Sequence, residues 1–178
     1  MQATLPDFAP RWEKAVYYPQ LKSRQGDPMN PIDSSSSATE QLVNTALAPP
    51  PVGPYPHARK VGNLLFLSGV GPRKPGQSDI PGVSLAADGR ILEYDIATQC
   101  HSVFHNVKVI LEAAGARWED LVDVTVFLTH MQADFKTFNA IYREYFPDVA
   151  TQPCRTTVEV NALPTPIAIE LKCLAVLP

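Results

Sequence analysis

Two stretches near the carboxyl end alternate apolar and polar residues with the period of two that is typical of β-strands. In the first, residues 152–164, one face carries Thr156, Val158 and Val160. The opposite face carries Arg155, Thr157 and Glu159. In the second, residues 167–176, a single acidic residue, Glu170, interrupts an apolar run. The pattern therefore predicts two strands, with Arg155 pointing away from the apolar face of the first.

Apolar residues at helical spacing predict two α-helices. The first covers residues 96–114, is capped by Asp95 and ends at Gly115. Its apolar stripe consists of Ile96, Cys100, Val103, Val107, Ile110, Leu111 and Ala114. The second covers residues 134–146 and is stopped by Pro147. Its stripe consists of Phe135, Phe138, Tyr142 and Tyr145.

Two further β-branched or leucine-rich runs, residues 63–70 and 121–128, predict strands. Residues 72–93 are typical of a loop, although Asp88-Gly89 is a hairpin signal. The predicted order is close to ββαβαββ, an α+β fold with an antiparallel or mixed sheet and two helices on one face. The face carrying Arg155 then has no helix, so we expect another subunit to cover it.

Residues 1–48 differ from the rest of the chain. They are rich in proline and include Trp12, Tyr17, Tyr18 and a run of four serines, residues 34–37. We predict an amino-terminal arm over residues 1–48, docked through its aromatics, and one domain over residues 49–178. Near the end of the arm, residues 39–47 are predicted to form a short helix. The prolines at 49–51, which follow the arm, are predicted to form a stiff spacer.

Composition and charge exclude several classes of function. The chain has 178 residues, 45% of them hydrophobic, which suits one domain with a core. Its formal charge is −3 and no basic patch is present, so nucleic-acid binding is disfavoured. No apolar run approaches the roughly 20 residues that span a bilayer, and the amino terminus does not resemble a signal peptide. We predict a cytoplasmic protein.

The cysteines and histidines do not predict a metal site. The three cysteines, Cys100, Cys154 and Cys173, are expected to be small buried hydrophobes in a reducing compartment. His101 and His105 have helical i, i+4 spacing, but no clear third ligand lies nearby. We expect no metal and no cofactor.

Arg155 and Glu170 are the first candidates for chemistry. An arginine near the start of a strand, flanked by Pro153 and small residues, is suited to grip a planar carboxylate with two parallel hydrogen bonds. The alternative is a surface arginine in a salt bridge. Glu170 has the same ambiguity, since alternation alone would turn it to water. Neither residue by itself identifies an enzyme.

Several ordered motifs together resemble the reactive intermediate deaminases, the Rid family. They are Gly53-Pro-Tyr55, Leu67-Ser-Gly69, Leu111-Glu-Ala-Ala-Gly115, Val124-Thr-Val-Phe127, Asn139-Ala-Ile-Tyr142, Cys154-Arg-Thr-Thr-Val-Glu-Val160, Leu163-Pro164 and Ile169-Glu170. The resemblance covers about residues 50–178. Within the family, residues 52–58, residues 67–73 and the long arm are most similar to the 2-aminomuconate deaminases of bacterial aromatic degradation.

The resemblance implies a chorismate-mutase-like fold, a trimer that pairs in some cases into a hexamer, and three clefts between subunits. It implies that Arg155 binds the substrate α-carboxylate and that Glu170 holds or activates the attacking water. The backbone of Thr157 would contact the substrate and that water. Many relatives have cysteine at this position. Because residue 157 is threonine in this chain, no thiol can act here. The cleft would be lined by Tyr55, Ser68 and Asn139, with help from Tyr142.

The resemblance also implies a substrate, a small dicarboxylate. Protonation of the conjugated chain of 2-aminomuconate gives a 2-imine, and water attacks the imine carbon. Loss of ammonia then gives 4-oxalocrotonate. Arg73 or His57 is suggested as the partner of the second carboxylate, the alternative being that both are surface loop residues. Other readings remain open: a general enamine or imine deaminase, a non-catalytic sensor of keto acids, and a ribonuclease, which the acidic balance disfavours.

Overall fold

The computed structural model describes residues 40–178, which lie within one compact unit. Most of the predicted arm, with Trp12, Tyr17 and Tyr18, lies outside the described residues, and the boundary at residue 48 stays a prediction. The strands are β1 (Glu40–Val43), β2 (Ala58–Val61), β3 (Leu64–Leu67), β4 (Val83–Leu85), β5 (Ile91–Tyr94), β6 (Leu121–Leu128), β7 (Cys154–Glu159) and β8 (Ile169–Val176). The helices are α1 (Ile96–Ala113) and α2 (Met131–Tyr145), with a short 3-10 helix at Trp118–Asp120.

Six of the described strands form one sheet in the order β1-β2-β3-β8-β6-β7. Within this part of the chain its neighbouring strands are antiparallel except β6 and β7, which run parallel. A parallel pair needs a crossover connection, and α2 supplies it. The remaining strands, β4 and β5, form a hairpin that turns through Gly89, whose φ is 84°.

Both helices pack on the same face of the sheet. α1 contacts β8 and α2, and α2 contacts β6. The helix-facing side chains of the central strands are buried, as are those of the predicted α1 stripe from Cys100 to Leu111. The predicted α+β architecture is confirmed.

The ends of α1 follow from local sequence. The Asp95 carboxylate accepts a hydrogen bond from the Ala97 amide at 3.0 Å, which caps the first turn. At the other end Gly115 has a φ of 76°, and the Ala116 amide donates to the Leu111 carbonyl at 2.9 Å. This is the glycine-terminated helix end that the sequence predicts.

The start of α2 was predicted three residues too late, because its cap is not local. The side chain of the capping residue, His130, forms no capping hydrogen bond. Instead the Met131 amide donates to the carboxylate of Glu159 at 2.7 Å. Glu159 lies on β7, far along the chain, so no pattern around residue 131 indicates this start.

Three smaller predictions were also wrong. Residues 40–43, predicted as helix, form β1 and pair with β2. The segment predicted as a loop contains β4 and the first part of β5, although its hairpin signal is confirmed. Cys154 is exposed, whereas Cys100 and Cys173 are buried as expected, and all three are free.

The orientation of β7 is the main correction to the predicted fold. Its register places Arg155 beside Val124 and Thr157 beside Val126, and both valines are buried on the helix side of the sheet. Arg155 therefore faces α2, not an uncovered surface. A position at the sheet edge explains this arrangement, because an edge strand leaves its helix-side positions partly open and able to carry polar groups.

The uncovered side of the sheet, called the open face here, carries apolar residues instead. Leu64, Phe66 and Val158 lie on it and are 36%, 41% and 36% exposed. Glu170 lies on the same side, beside Phe127. Coverage of a sheet face by another subunit stays a prediction, and it now concerns the open face.

Candidate functional site

Glu170 is half-buried in a pocket at the start of β8. The pocket has an empty volume of about 500 Å³, part of it open to solvent. Its polar lining consists of Tyr55, His57, Ser68, Arg73, Thr165 and Glu170, and its apolar lining includes Pro49, Pro51, Val70 and Ile167. This Glu170 pocket therefore contains five residues that the sequence predicted for the site.

Gly69 fixes the position of the Glu170 carboxylate. A Cβ at residue 69 would lie 2.9 Å from the Glu170 Cδ and would collide with a carboxylate oxygen. The next residue, Val70, exchanges backbone hydrogen bonds of 2.8 and 2.9 Å with Leu171, so this segment is held against β8. The sequence places Gly69 within a family motif but indicates no role for it, because the close approach involves Glu170, which is distant in the sequence.

Burial changes the acidity of Glu170. Desolvation raises the pKa of its carboxyl group above the usual glutamate value. Within residues 40–178 no cation forms an ion pair with it. A carboxyl group with a raised pKa can accept and return a proton near neutral pH more readily than an exposed one.

His57 and Ser68 bind backbone atoms of the pocket wall. The His57 Nδ1 accepts from the Thr45 amide at 3.3 Å, so its Nε2 donates to the Pro49 carbonyl at 2.9 Å. The Ser68 hydroxyl donates to the Pro56 carbonyl at 2.6 Å. Both ring nitrogens of His57 are thus engaged, which leaves its predicted contact with a substrate carboxylate without a donor.

Arg73 and Tyr55 occupy other parts of this pocket. The Arg73 side chain is half-buried and donates from Nη2 to the Pro50 carbonyl at 2.7 Å. Tyr55 is 41% exposed and contacts Gly53 at the rim. The proline run predicted as a stiff spacer therefore forms a wall of the pocket.

Arg155 lies in a different pocket. This Arg155 pocket is lined by Met131, Gln132, Phe135, Lys136, Arg155 and Thr157. The Cζ of Arg155 is 4.4 Å from the ring centroid of Tyr142 and 5.5 Å from that of Phe138. Cation–π contact with these rings holds the guanidinium in place. Within the described residues Arg155 forms no ion pair, so the salt-bridge alternative is not supported.

Two buried hydroxyl groups near Arg155 have no hydrogen-bond partner in the described part of the chain. They belong to Tyr142 and Thr157. Burial raises the pKa of Tyr142 to about 12, so this phenol stays neutral and can donate a hydrogen bond. Asn139, predicted to line the cleft, is half-buried on α2 one turn before Tyr142.

The structure divides the predicted site into two groups. Tyr55, Ser68 and Glu170 share the Glu170 pocket, whereas Arg155 and Thr157 share the Arg155 pocket. Glu170 lies on the open face and Arg155 on the helix side, so one chain does not bring them into a single cavity. The predicted site residues of one chain thus fall into two separate pockets.

The described residues give no support for a metal or a membrane segment. Residues 40–178 contain no cluster of three or more His, Cys, Asp or Glu side chains that could hold a metal ion. In the same range no helix is long and apolar enough to cross a bilayer. The absence of a cofactor and the cytoplasmic location stay predictions.

Comparison with known proteins yields a consistent set of relatives. The family model described as Endoribonuclease L-PSP matches residues 45–177. Reactive Intermediate Deaminase A from Arabidopsis thaliana is 40% identical over 81% of this chain and 70% of its own. The 2-iminobutanoate/2-iminopropanoate deaminase of Escherichia coli is 36% identical over 76% of this chain and 97% of its own.

A solved structure shows that the fold is also shared. Escherichia coli TdcF with bound serine superposes with a TM-score of 0.66 at 32% identity, covering 78% of this chain and 99% of that one. The predicted Rid-type fold is confirmed.

Proposed function

The chain belongs to the Endoribonuclease L-PSP family, which includes the RutC and Rid proteins, and from this membership we propose that it hydrolyses enamine or imine intermediates and releases ammonia. The observation that carries the proposal is the half-buried carboxyl group of Glu170, which lies against Gly69 in a pocket and has a raised pKa. Two relatives are named as deaminases, and the name of one of them specifies the imino acids 2-iminobutanoate and 2-iminopropanoate.

Glu170 acts as the proton carrier of the hydrolysis. It takes a proton from water while the water oxygen bonds to the imine carbon, which gives a tetrahedral carbinolamine. It returns this proton to nitrogen, which completes the neutral carbinolamine. It then carries the hydroxyl proton of the carbinolamine to nitrogen as the carbon–nitrogen bond breaks and the carbonyl forms, leaving a 2-oxo acid and ammonia. General acid–base catalysis of this kind contributes about 10²–10⁴-fold.

Arg155 binds the carboxylate next to the reacting carbon. Its guanidinium is held by α2 aromatics and is free of carboxylate partners in the described residues, so its paired N–H groups are available to an incoming carboxylate. The backbone of Thr157 contacts the substrate and the water, and the Tyr142 hydroxyl and Asn139 complete this side. Positioning and fixed charge are the effects supplied here.

The working site combines half-sites from two subunits. The α-carboxylate is bonded to the imine carbon, so Arg155 and Glu170 must lie within a few ångströms of one substrate. Because one chain keeps them on opposite faces of its sheet, Arg155 of one subunit meets Glu170 of another. A trimer with three such clefts, alone or paired as a hexamer, satisfies this requirement. The exposed apolar residues of the open face suit burial between subunits.

The proposed substrate is 2-aminomuconate, a small dicarboxylate formed in bacterial breakdown of aromatic compounds. Protonation of its conjugated chain gives the 2-imine, and hydrolysis gives 4-oxalocrotonate. Support comes from residues 52–58 and 67–73, which resemble that subgroup and contribute to the Glu170 pocket. A general imine deaminase of amino-acid intermediates is the alternative that uses the same residues. The formal charge of −3 does not favour RNA as a substrate.

Ammonia release from freshly generated 2-aminomuconate tests the proposal, with the spontaneous rate subtracted. We expect rapid release by the wild type and a loss of about 100-fold in kcat/KM for Arg155→Ala, since a bidentate charged contact is removed. Arg59→Ala is the control, because Arg59 pairs with Glu40 on the surface. Wild-type release equal to the blank, with 2-oxo acids still bound, would instead support a non-catalytic sensor.

A further inference from the structure

Arg73 has a charge that the described residues do not neutralise. The ion pairs of residues 40–178 use Arg59, Arg90, Lys108 and Arg117, and none uses Arg73. Its side chain is nevertheless half-buried in the Glu170 pocket. An unpaired guanidinium at the wall of a pocket is available to pair with an anionic ligand.

The backbone of residues 71–73, which carries Arg73, is fixed at three carbonyl groups. The buried Asn106 side chain donates to the carbonyls of Gly71 and Arg73 at 2.8 and 2.7 Å. The Ser102 hydroxyl donates to the Pro72 carbonyl at 2.6 Å. Asn106 and Ser102 both lie on α1, so the helix holds this segment next to β8 and Glu170.

The Arg73 guanidinium is oriented by a hydrogen bond but keeps N–H donors available. One N–H of Arg73 donates to the Pro50 carbonyl, and His57 holds the same loop through Thr45 and Pro49. A guanidinium has five N–H donors, so a single carbonyl leaves enough for a bidentate contact with a carboxylate. His57 has no ring nitrogen left for that purpose.

We propose that Arg73 binds a second carboxylate of the substrate, at the end remote from the reacting carbon, and thereby makes the site selective for dicarboxylic imines. The inference rests on the proposed function for the reaction itself. Arg73 and Arg155 are the two half-buried arginines among residues 40–178, and neither forms an ion pair there. Two such cations suit two anionic groups, Arg155 taking the α-carboxylate and Arg73 the distal one. The presence of Arg73 and Glu170 in one pocket places the distal carboxylate on the subunit that supplies the proton carrier.

Calorimetric binding of two matched ligands tests Arg73 without depending on turnover. The ligands are 2-oxoadipate and 2-oxohexanoate, which differ only in the terminal carboxylate. We expect the wild type to prefer 2-oxoadipate and Arg73→Met to lose about 10- to 100-fold in affinity for it alone, the worth of charged hydrogen bonds. Arg73→Lys keeps the positive charge but lacks the paired N–H groups of a guanidinium. Its affinity for 2-oxoadipate should lie between those of the wild type and Arg73→Met. Arg59→Met is the matched control and should change neither affinity.

Three results would overturn the inference. They are equal wild-type affinities for the two ligands, a preference retained in both Arg73 variants, and an equal loss for both ligands, which would make Arg73 structural. Failure of the proposed function has a different signature. In that case the wild type would still discriminate between the two ligands but release no ammonia from any imine.

Discussion

Glu170 has a raised pKa for a simple physical reason. Its carboxyl group is held against the Gly69 backbone in a partly closed pocket, where loss of hydration disfavours the charged form. No described cation compensates for that loss. The same closeness explains why residue 69 must be glycine: the space for a side chain is filled by the Glu170 carboxylate.

We predict that Glu170 controls the acid limb of the pH–rate profile. The carboxylate must be ionised to accept a proton from water, and its raised pKa means that this form is lost as pH falls through a value above the usual glutamate pKa of about 4.3. Activity should therefore decline at higher pH than for an exposed glutamate. Glu170→Gln should lower kcat by about 10²–10⁴-fold with little change in KM, and the remaining activity should lack this limb. The measurement is kcat/KM across the acidic range for both proteins; a limb that persists in Glu170→Gln would assign it to another group.

At the scale of elements, α2 is the platform on which Arg155 rests. Phe138 and Tyr142 place their rings under the guanidinium, and the first turn of the helix is capped from β7 by Glu159. Strand and helix thus hold each other at the point where the α-carboxylate is proposed to bind. Loss of the Glu159 cap should therefore alter the position of Arg155, although the cap itself is formed with Met131.

Removing the cap should cost stability and weaken ligand binding together. Glu159→Ala leaves the Met131 amide without its carboxylate, a loss of about 1 kcal/mol, which corresponds to roughly 2–4 °C in Tm for a chain of this size. Affinity for a 2-oxo acid should fall modestly as the start of α2 loosens. Thermal unfolding and calorimetry measure the two effects. Glu119→Ala, which removes an exposed glutamate of the short 3-10 helix, is the control. An unchanged Tm in Glu159→Ala would show that the cap does not stabilise the helix.

The same elements show how far the sequence could predict the structure. α1 was predicted almost to the residue because Asp95 and Gly115 are local signals. The start of α2 was not predicted correctly, because the distant Glu159 carboxylate caps it. β1 was wrongly predicted as helix, because pairing with β2 overrides the helical pattern of its sequence. Alternation correctly separated Arg155 from Val158, yet it could not tell which side the helices would cover. For the site, the motifs gave the candidate residues, but only the fold shows that they lie in two separate pockets.

At the scale of the whole molecule, the separation of Arg155 and Glu170 predicts a site shared between subunits. In the proposed trimer each cleft takes Arg155 from one chain and Glu170 from its neighbour. Arg155→Ala and Glu170→Gln would each be inactive alone for different reasons. Co-expressed and mixed at random, they would form some clefts in which both residues are native. Light scattering on the purified mixture establishes the number of chains per particle.

Two mixtures distinguish a shared site from a site within one chain. With equal amounts of the two single variants, a shared site is native only where a Glu170→Gln chain supplies Arg155 and an Arg155→Ala chain supplies Glu170, so activity should return to about one quarter of the wild type. A site within one chain would stay inactive. With wild type mixed equally with the double variant, a shared site again gives about one quarter, whereas a site within one chain gives about one half. A shared site therefore predicts about one quarter of the wild-type activity in both mixtures, whereas a site within one chain predicts none in the first and about one half in the second. Because both mixtures contain the same substitutions, the difference depends only on which chains supply the two residues.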